Sequence, residues 1–136
     1  MQKSMDFEGL STHFQDEVRQ LKSKGFKNWQ SLACLQDKDL YVLAQNSRAT
    51  TRNLKILRGM ATFICQINLT QSEAALLLHA GIASLNSLSS LTPSQVIERT
   101  GRLERQLNLG RKPYLDIRVA KKWVENAKRA NSELTQ

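Results

Sequence analysis

The chain repeats itself. Shifted by 56 positions, Leu21, Gly25, Phe26, Trp29, Leu32 and Leu35 fall on Leu77, Gly81, Ile82, Leu85, Leu88 and Leu91, and Leu40 falls on Val96. Each half then reads as a helix, a glycine turn, a short helix and two further helices. The last helices match only after an insertion of about seven residues near 106–113, as expected where a repeat takes up extra loop. Neither half alone closes a core well, so the two are expected to pack together.

Helical period dominates throughout. Thr12-x-x-Gln15 reads as a capping box ahead of Phe14, Val18 and Leu21. Gly25 closes that helix, because the residue after a helix C-cap adopts positive φ and glycine has no Cβ to clash. Asn28 caps a short turn with Trp29 and Leu32, and Asp37 starts a helix with Leu40, Leu43 and Ala44. Thr50 or Thr51 opens a longer helix through Leu54, Leu57, Ala61 and Ile64. In the second half Thr70-x-x-Glu73 is a second capping box, Gly81 ends the helix and Ser84 caps the short turn. Thr92-Pro93-Ser94-Gln95 places a cap, a proline at the first helical position and a glutamine at the third. Its helix is expected to bury Val96, Thr100, Leu103 and Leu107 and to end at Asn108-Leu109-Gly110. The last helix carries Ile117, Ala120, Val124 and Ala127 on one face, with Trp123 one position off the stripe and expected to be partly exposed. Trp29 is expected in the core.

The pattern Leu-x-x-x-Gly-apolar-x-x-apolar-x-x-Leu, at 21–32 and 77–88, resembles a helix-hairpin-helix unit. LLLHAGIASLNSL (76–88) and GRKPYLDIRVAKKWVENAKR (110–129) look like the bacterial DUF4332 family, a family of unknown function with such repeats. GFKNWQSLACLQDKDLYVLAQNSRATTRNLKILRG (25–59) is similar to the preceding repeat. The resemblance implies an all-α fold of two tandem helix-hairpin-helix (SAM-like) repeats packed as one compact domain. The expected divisions are a tail at 1–10, repeats at 11–68 and 69–131, and a tail at 132–136. Helix-hairpin-helix units imply sequence-independent DNA binding, in which a Gly-apolar-Gly turn lets backbone N–H groups approach a phosphate. Here the turns read Gly25-Phe26-Lys27 and Gly81-Ile82-Ala83, and both lack the second glycine. Lys27 offers charge in its place; Ala83 offers neither.

With 136 residues, 40% hydrophobic and 24% charged, the chain suits one soluble domain, and its composition argues against intrinsic disorder. The net charge of +8 is shared: ten basic and six acidic residues stand in each half, so the balance belongs to the folded body. A basic body attracts polyanions, nucleic acid first. Two stretches carry the excess. Arg48, Arg52, Lys55 and Arg58 lie in eleven residues without an acid and are expected near one helix face. Residues 99–129 hold ten basic residues against Glu104, Asp116 and Glu125. The candidate phosphate-contacting residues are Arg48, Arg52, Lys55, Arg102, Arg105, Arg111, Lys112, Arg118 and Lys122, with Lys24 and Lys27 from the first hairpin. Solvated faces of amphipathic helices are the plainer explanation of any single such stretch.

No catalytic constellation is present: no paired-acid motif, no Gly-rich phosphate loop, no HExxH and no Cys-His pair at ligand spacing. No enzyme activity, cofactor, metal or small-molecule substrate is expected. Cys34 and Cys65 lie in apolar stretches and are expected to be buried thiols; a bond between them stays open. The opening residues carry no signal-peptide run, and the window 74–91 is too broken to span a membrane, so a cytoplasmic location is expected. Two functions stand. One is a non-catalytic protein gripping the phosphate backbone of DNA or structured RNA without sequence specificity. The other is an adaptor docking on an acidic or hydrophobic protein surface, with an exposed apolar patch around Trp123 and Leu76–Leu78.

Overall fold

The computed structural model describes residues 12–106 and 116–134. A 3-10 turn (Thr12–Phe14) leads into α1 (Gln15–Ser23), α2 (Trp29–Ala33), α3 (Asp37–Ala44) and α4 (Thr51–Ile67). Then come α5 (Gln71–His79), α6 (Leu85–Ser89), α7 (Pro93–Gln106) and α8 (Ile117–Leu134). The expectation of an all-helical protein holds for the described residues.

The caps explain where these helices begin. A helix leaves its first N–H groups without internal partners, and a short polar side chain at the N-cap accepts from one of them. Asn28 Oδ1 accepts from the Ser31 N–H at 2.9 Å, and Ser84 Oγ from the Ser87 N–H at 3.0 Å. Thr50 Oγ1 accepts from the Asn53 N–H at 3.2 Å. Reciprocal boxes form with Thr70 and Glu73 at 3.1 and 2.8 Å, and with Thr92 and Gln95 at 3.2 and 2.9 Å, and a further box joins Gln36 and Asp39 at the start of α3. Asp116 Oδ1 accepts from the Arg118 and Val119 N–H groups at 2.9 and 3.0 Å. One expected cap is corrected. Thr12 lies in the 3-10 turn, and α1 has Phe14 at its cap position with no side-chain cap bond. Phe14 is buried, so packing rather than capping fixes the entry to α1.

Both glycine turns are built alike. The Gly25 N–H donates to Lys22 O at 3.1 Å and the Phe26 N–H to Leu21 O at 2.9 Å; the Gly81 N–H donates to Leu78 O at 3.1 Å and the Ile82 N–H to Leu77 O at 2.9 Å. These are paired 5→2 and 6→1 bonds that satisfy the last carbonyls of α1 and α5. The glycines sit at φ +91° and +89°. No atom lies within 4 Å of a Cβ built at either one, so conformation alone demands glycine. Gly25→Ala and Gly81→Ala are each expected to lower unfolding free energy by about 1 kcal/mol from left-handed backbone strain. Urea denaturation checks this, and wild-type midpoints for both variants would contradict it.

The core is organised around α4. It packs against α2 and α3 from its own half and against α5 and α8 from the other, while α6 and α7 pack on α8. Its length presents a wide apolar arc: Leu54, Leu57, Met60, Ala61, Phe63, Ile64 and Ile67 are buried. One continuous cluster runs from Phe14 to Ala130 through both halves. Gly59 marks where α4 comes nearest the second glycine turn; a Cβ there would stand 3.2 Å from Ala83 O and 3.1 Å from Leu78 Cδ1.

The placements of Trp123, Ile117 and the two cysteines depart from expectation. Trp123 is buried and Ile117 is 50% exposed. The inward face of α8 is Ala120, Trp123, Val124, Ala127 and Ala130, so Trp123 lies inside the stripe and Ile117, on the first turn, lies off it. Cys34 is exposed, because it follows the end of α2 after Trp29 and Leu32 have turned inward; Cys65 is half-buried, and neither is in a disulfide.

Candidate nucleic-acid interface

The exposed side of α8 carries the densest described charge. Residues spaced three and four apart share a helix face. On this 18-residue helix Arg118, Lys121, Lys122, Lys128 and Arg129 occupy the arc opposite the buried stripe, with Glu125 among them. At 1.5 Å per residue the stripe runs for roughly 17 Å between Arg118 and Arg129, a span of several backbone phosphates. Among the described residues, no carboxylate lies within ion-pair distance of Lys121, Lys122, Lys128 or Arg129. Arg118 has Asp116 Oδ2 at 3.8 Å, but its side chain is 90% exposed.

The α4 cluster is only partly as expected. Arg52 and Lys55 are exposed on the helix. Arg48 is exposed too, but it lies in the connection between α3 and α4 rather than a turn earlier on one helix face. The chain leaves α3 at Gln45 and turns through Asn46, at φ +57°, so no helical register links Arg48 to Arg52. Arg58 is committed elsewhere. Its Nη2 pairs with Asp37 Oδ1 at 2.6 Å and its Nη1 donates to Leu35 O at 3.3 Å, tying the α2–α3 connection to α4. The Arg58 hydrogen bond, then its charge, hold the Asp37 carboxyl below its ordinary value, and Lys55 adds a weaker pull.

Lys24 and Lys27 flank Gly25 and are exposed. Lys24 lines a different groove, of about 750 Å³, with Gln20, Phe26, Asp39, Val42 and Asn46 between α1 and α3. Arg102 and Arg105 lie on α7, with side chains outside the described set; Arg111 and Lys112 lie outside the described residues altogether. The structure therefore gathers Arg118 and Lys122 on one helix face, and Arg52 and Lys55 on the helix that packs against it. Sequence reading left out Lys121, Lys128 and Arg129 as site residues. Projecting α8 at 100° per residue against its apolar stripe would have found them.

The apolar patch proposed around Trp123 and Leu76–Leu78 is not there. Trp123 and Leu77 are buried, and Leu76 and Leu78 are half-buried, because α5 and α8 turn these residues onto α4. The exposed large apolar residues among those described are Tyr41, Val42 and Ile117. Among the described residues, no group of three or more His, Cys, Asp or Glu side chains stands where it could hold a metal ion. No described helix is long and apolar enough to cross a membrane.

A family model described as a domain of unknown function, DUF4332, matches residues 11–130. No curated protein and no solved structure matches the chain.

Proposed function

The chain belongs to the DUF4332 family, and for this member we propose a non-catalytic, cytoplasmic nucleic-acid-binding protein that grips the phosphate backbone of DNA or structured RNA without reading bases. The observation that carries this is the exposed cationic face of α8, with Arg52 and Lys55 also exposed on α4, the helix packed against it. Its lysines have no described carboxylate partner, while the arginine turned toward the protein, Arg58, has one. Unpaired surface cations neutralise phosphates and release condensed counterions, which supplies most of the free energy of non-specific binding.

We further infer that the halves are tandem helix-hairpin-helix units of the SAM-like kind. In support, α5 repeats the bounds of α1 at an offset of 56, α6 repeats those of α2, and α7 begins where the same offset puts the start of α3. The matching glycine turns point the same way. The missing second glycines move phosphate contact from the hairpins to side chains on α4 and α8.

A protein-docking role is favoured by one observation. Tyr41 and Val42 are 58% and 66% exposed side by side on α3, and Val42 borders the α1–α3 groove. Fluorescence anisotropy with two duplexes of unrelated sequence, in 0.1 M salt, separates the readings. Backbone binding gives affinities within about threefold of each other, since a base-reading protein loses roughly 1–3 kcal/mol per mismatched pair. A strong preference for one duplex, or no binding to either, overturns the proposal.

A further inference from the structure

A second, smaller cleft lies where the two halves meet. It encloses about 320 Å³ and is lined by Lys55, Arg58, Gly59 and Thr62 of α4, by Ala83 to Asn86 around the start of α6, and by Asn131 near the end of α8. No carboxylate is among these residues. The bonding within it leaves particular donors over. Thr62 Oγ1 donates to Arg58 O at 3.0 Å, and Ser84 Oγ donates to Ser87 Oγ at 3.0 Å, so both hydroxyls are engaged. Arg58 is held by Asp37 and Leu35 O. Asn131 Nδ2 reaches Asn86 Oδ1 at 3.5 Å, the far edge of a hydrogen bond, which leaves the Asn86 amide N–H₂ pointing to no described acceptor. Lys55 likewise has no ion-pair partner among the described residues.

A lysine and two carboxamides around a cleft lined by no carboxylate, with the nearby Asp37 held by Arg58, form a donor set for a tetrahedral oxyanion. We propose that this cleft is a phosphate-binding site, with Lys55 supplying charge and Asn86 and Asn131 supplying oriented N–H donors. The volume admits a phosphate together with the sugar that bears it, being at the low end of small-ligand sites. The contact is made by side chains drawn from both halves, so it forms only when α4, α6 and α8 are packed together. Gly59, on the α4 side, allows the close approach of Ala83, since a Cβ there would press on Ala83 O and Leu78. Reading the phosphate as one of a nucleic-acid backbone rests on the function proposed above; a free phosphorylated small molecule presents the same group.

Nitrogen–proton NMR of the full chain tests this. Inorganic phosphate is titrated against chloride of equal ionic strength, then a short duplex is added. Saturable shifts at Lys55, Ser84, Asn86 and Asn131 with phosphate but not chloride are expected, and Lys55→Gln or Asn131→Ala should weaken the phosphate affinity about tenfold, as loss of a charge-assisted bond does. If the duplex shifts the same amides and phosphate competes with it, the source is a backbone. If phosphate binds here and the duplex leaves these amides unmoved, the site stands as one for a phosphorylated small molecule, and the backbone assignment falls. No saturable phosphate shift in the cleft, or equal shifts in Lys55→Gln, overturns the site while leaving duplex binding by α8 intact.

Discussion

Glu17→Ala is expected to lower the melting temperature by roughly 10 °C, through a loss of about 3 kcal/mol. Glu17 is the buried acid among the described residues, 1% exposed on α1. Its Oε2 accepts from the Thr50 N–H at 2.8 Å and its Oε1 from Asn53 Nδ2 at 3.3 Å, so one carboxyl group joins α1 to the first turn of α4 across more than thirty residues of chain. Alanine takes the acceptor from both donors, of which Asn53 is half-buried, and opens a void where the buried carboxyl stood, and each effect is destabilising in the same direction. Glu17→Gln keeps one acceptor for the Thr50 N–H and is expected to cost about 1 kcal/mol. Thermal unfolding by circular dichroism decides the matter: a Glu17→Ala midpoint within two or so degrees of wild type would show that the bridge contributes little.

The largest effect on binding is expected from α8. Reversing three charges together, Lys121→Glu, Lys122→Glu and Lys128→Glu, should weaken binding to any duplex by about 100-fold or more in 0.1 M salt. The three residues are exposed, without a described partner, and lie on the far side of the helix from Ala120, Val124 and Ala127. Their replacement therefore touches no packing, and the melting temperature should stay close to that of wild type. Lys38→Glu, an exposed change on α3 outside the proposed face, serves as the control. Equal weakening by that control would assign the effect to net charge rather than to this face.

The fold was legible in the sequence wherever its cause is local. Gly25 and Gly81 announce positive φ because few other residues tolerate it, and Asn28, Ser84, Thr70 and Thr92 announce helix starts because their short side chains reach back to the backbone. Those signals need only neighbours within a few residues. What was hidden depends on contacts distant in the chain. Nothing near Glu17 says that Thr50 and Asn53 will arrive beside it, and nothing near Arg58 says that Asp37 will take its charge. Trp123 and Ile117 were exchanged in the expected stripe because their burial is set by how α8 lies against α4 and α6. Of the candidate site, the types of residue were legible and their grouping was not. Arg52, Lys55, Arg118 and Lys122 were identifiable as cations, but only the packing of α4 on α8 puts them on adjoining helices. Arg48 was misplaced because an acid-free run of sequence looks like a helix face even where the chain is in a turn.

The proposed binding is exposed, unpaired cations meeting phosphates, and ionic strength interrogates that directly. Duplex affinity measured between 50 and 200 mM salt should fall along a log–log line of slope about −4 to −5, as four to six neutralised phosphates require, and the line should be the same for unrelated sequences. The triple α8 reversal should flatten it by about three. A slope near zero, or no detectable duplex binding at the lowest salt, would contradict the central claim.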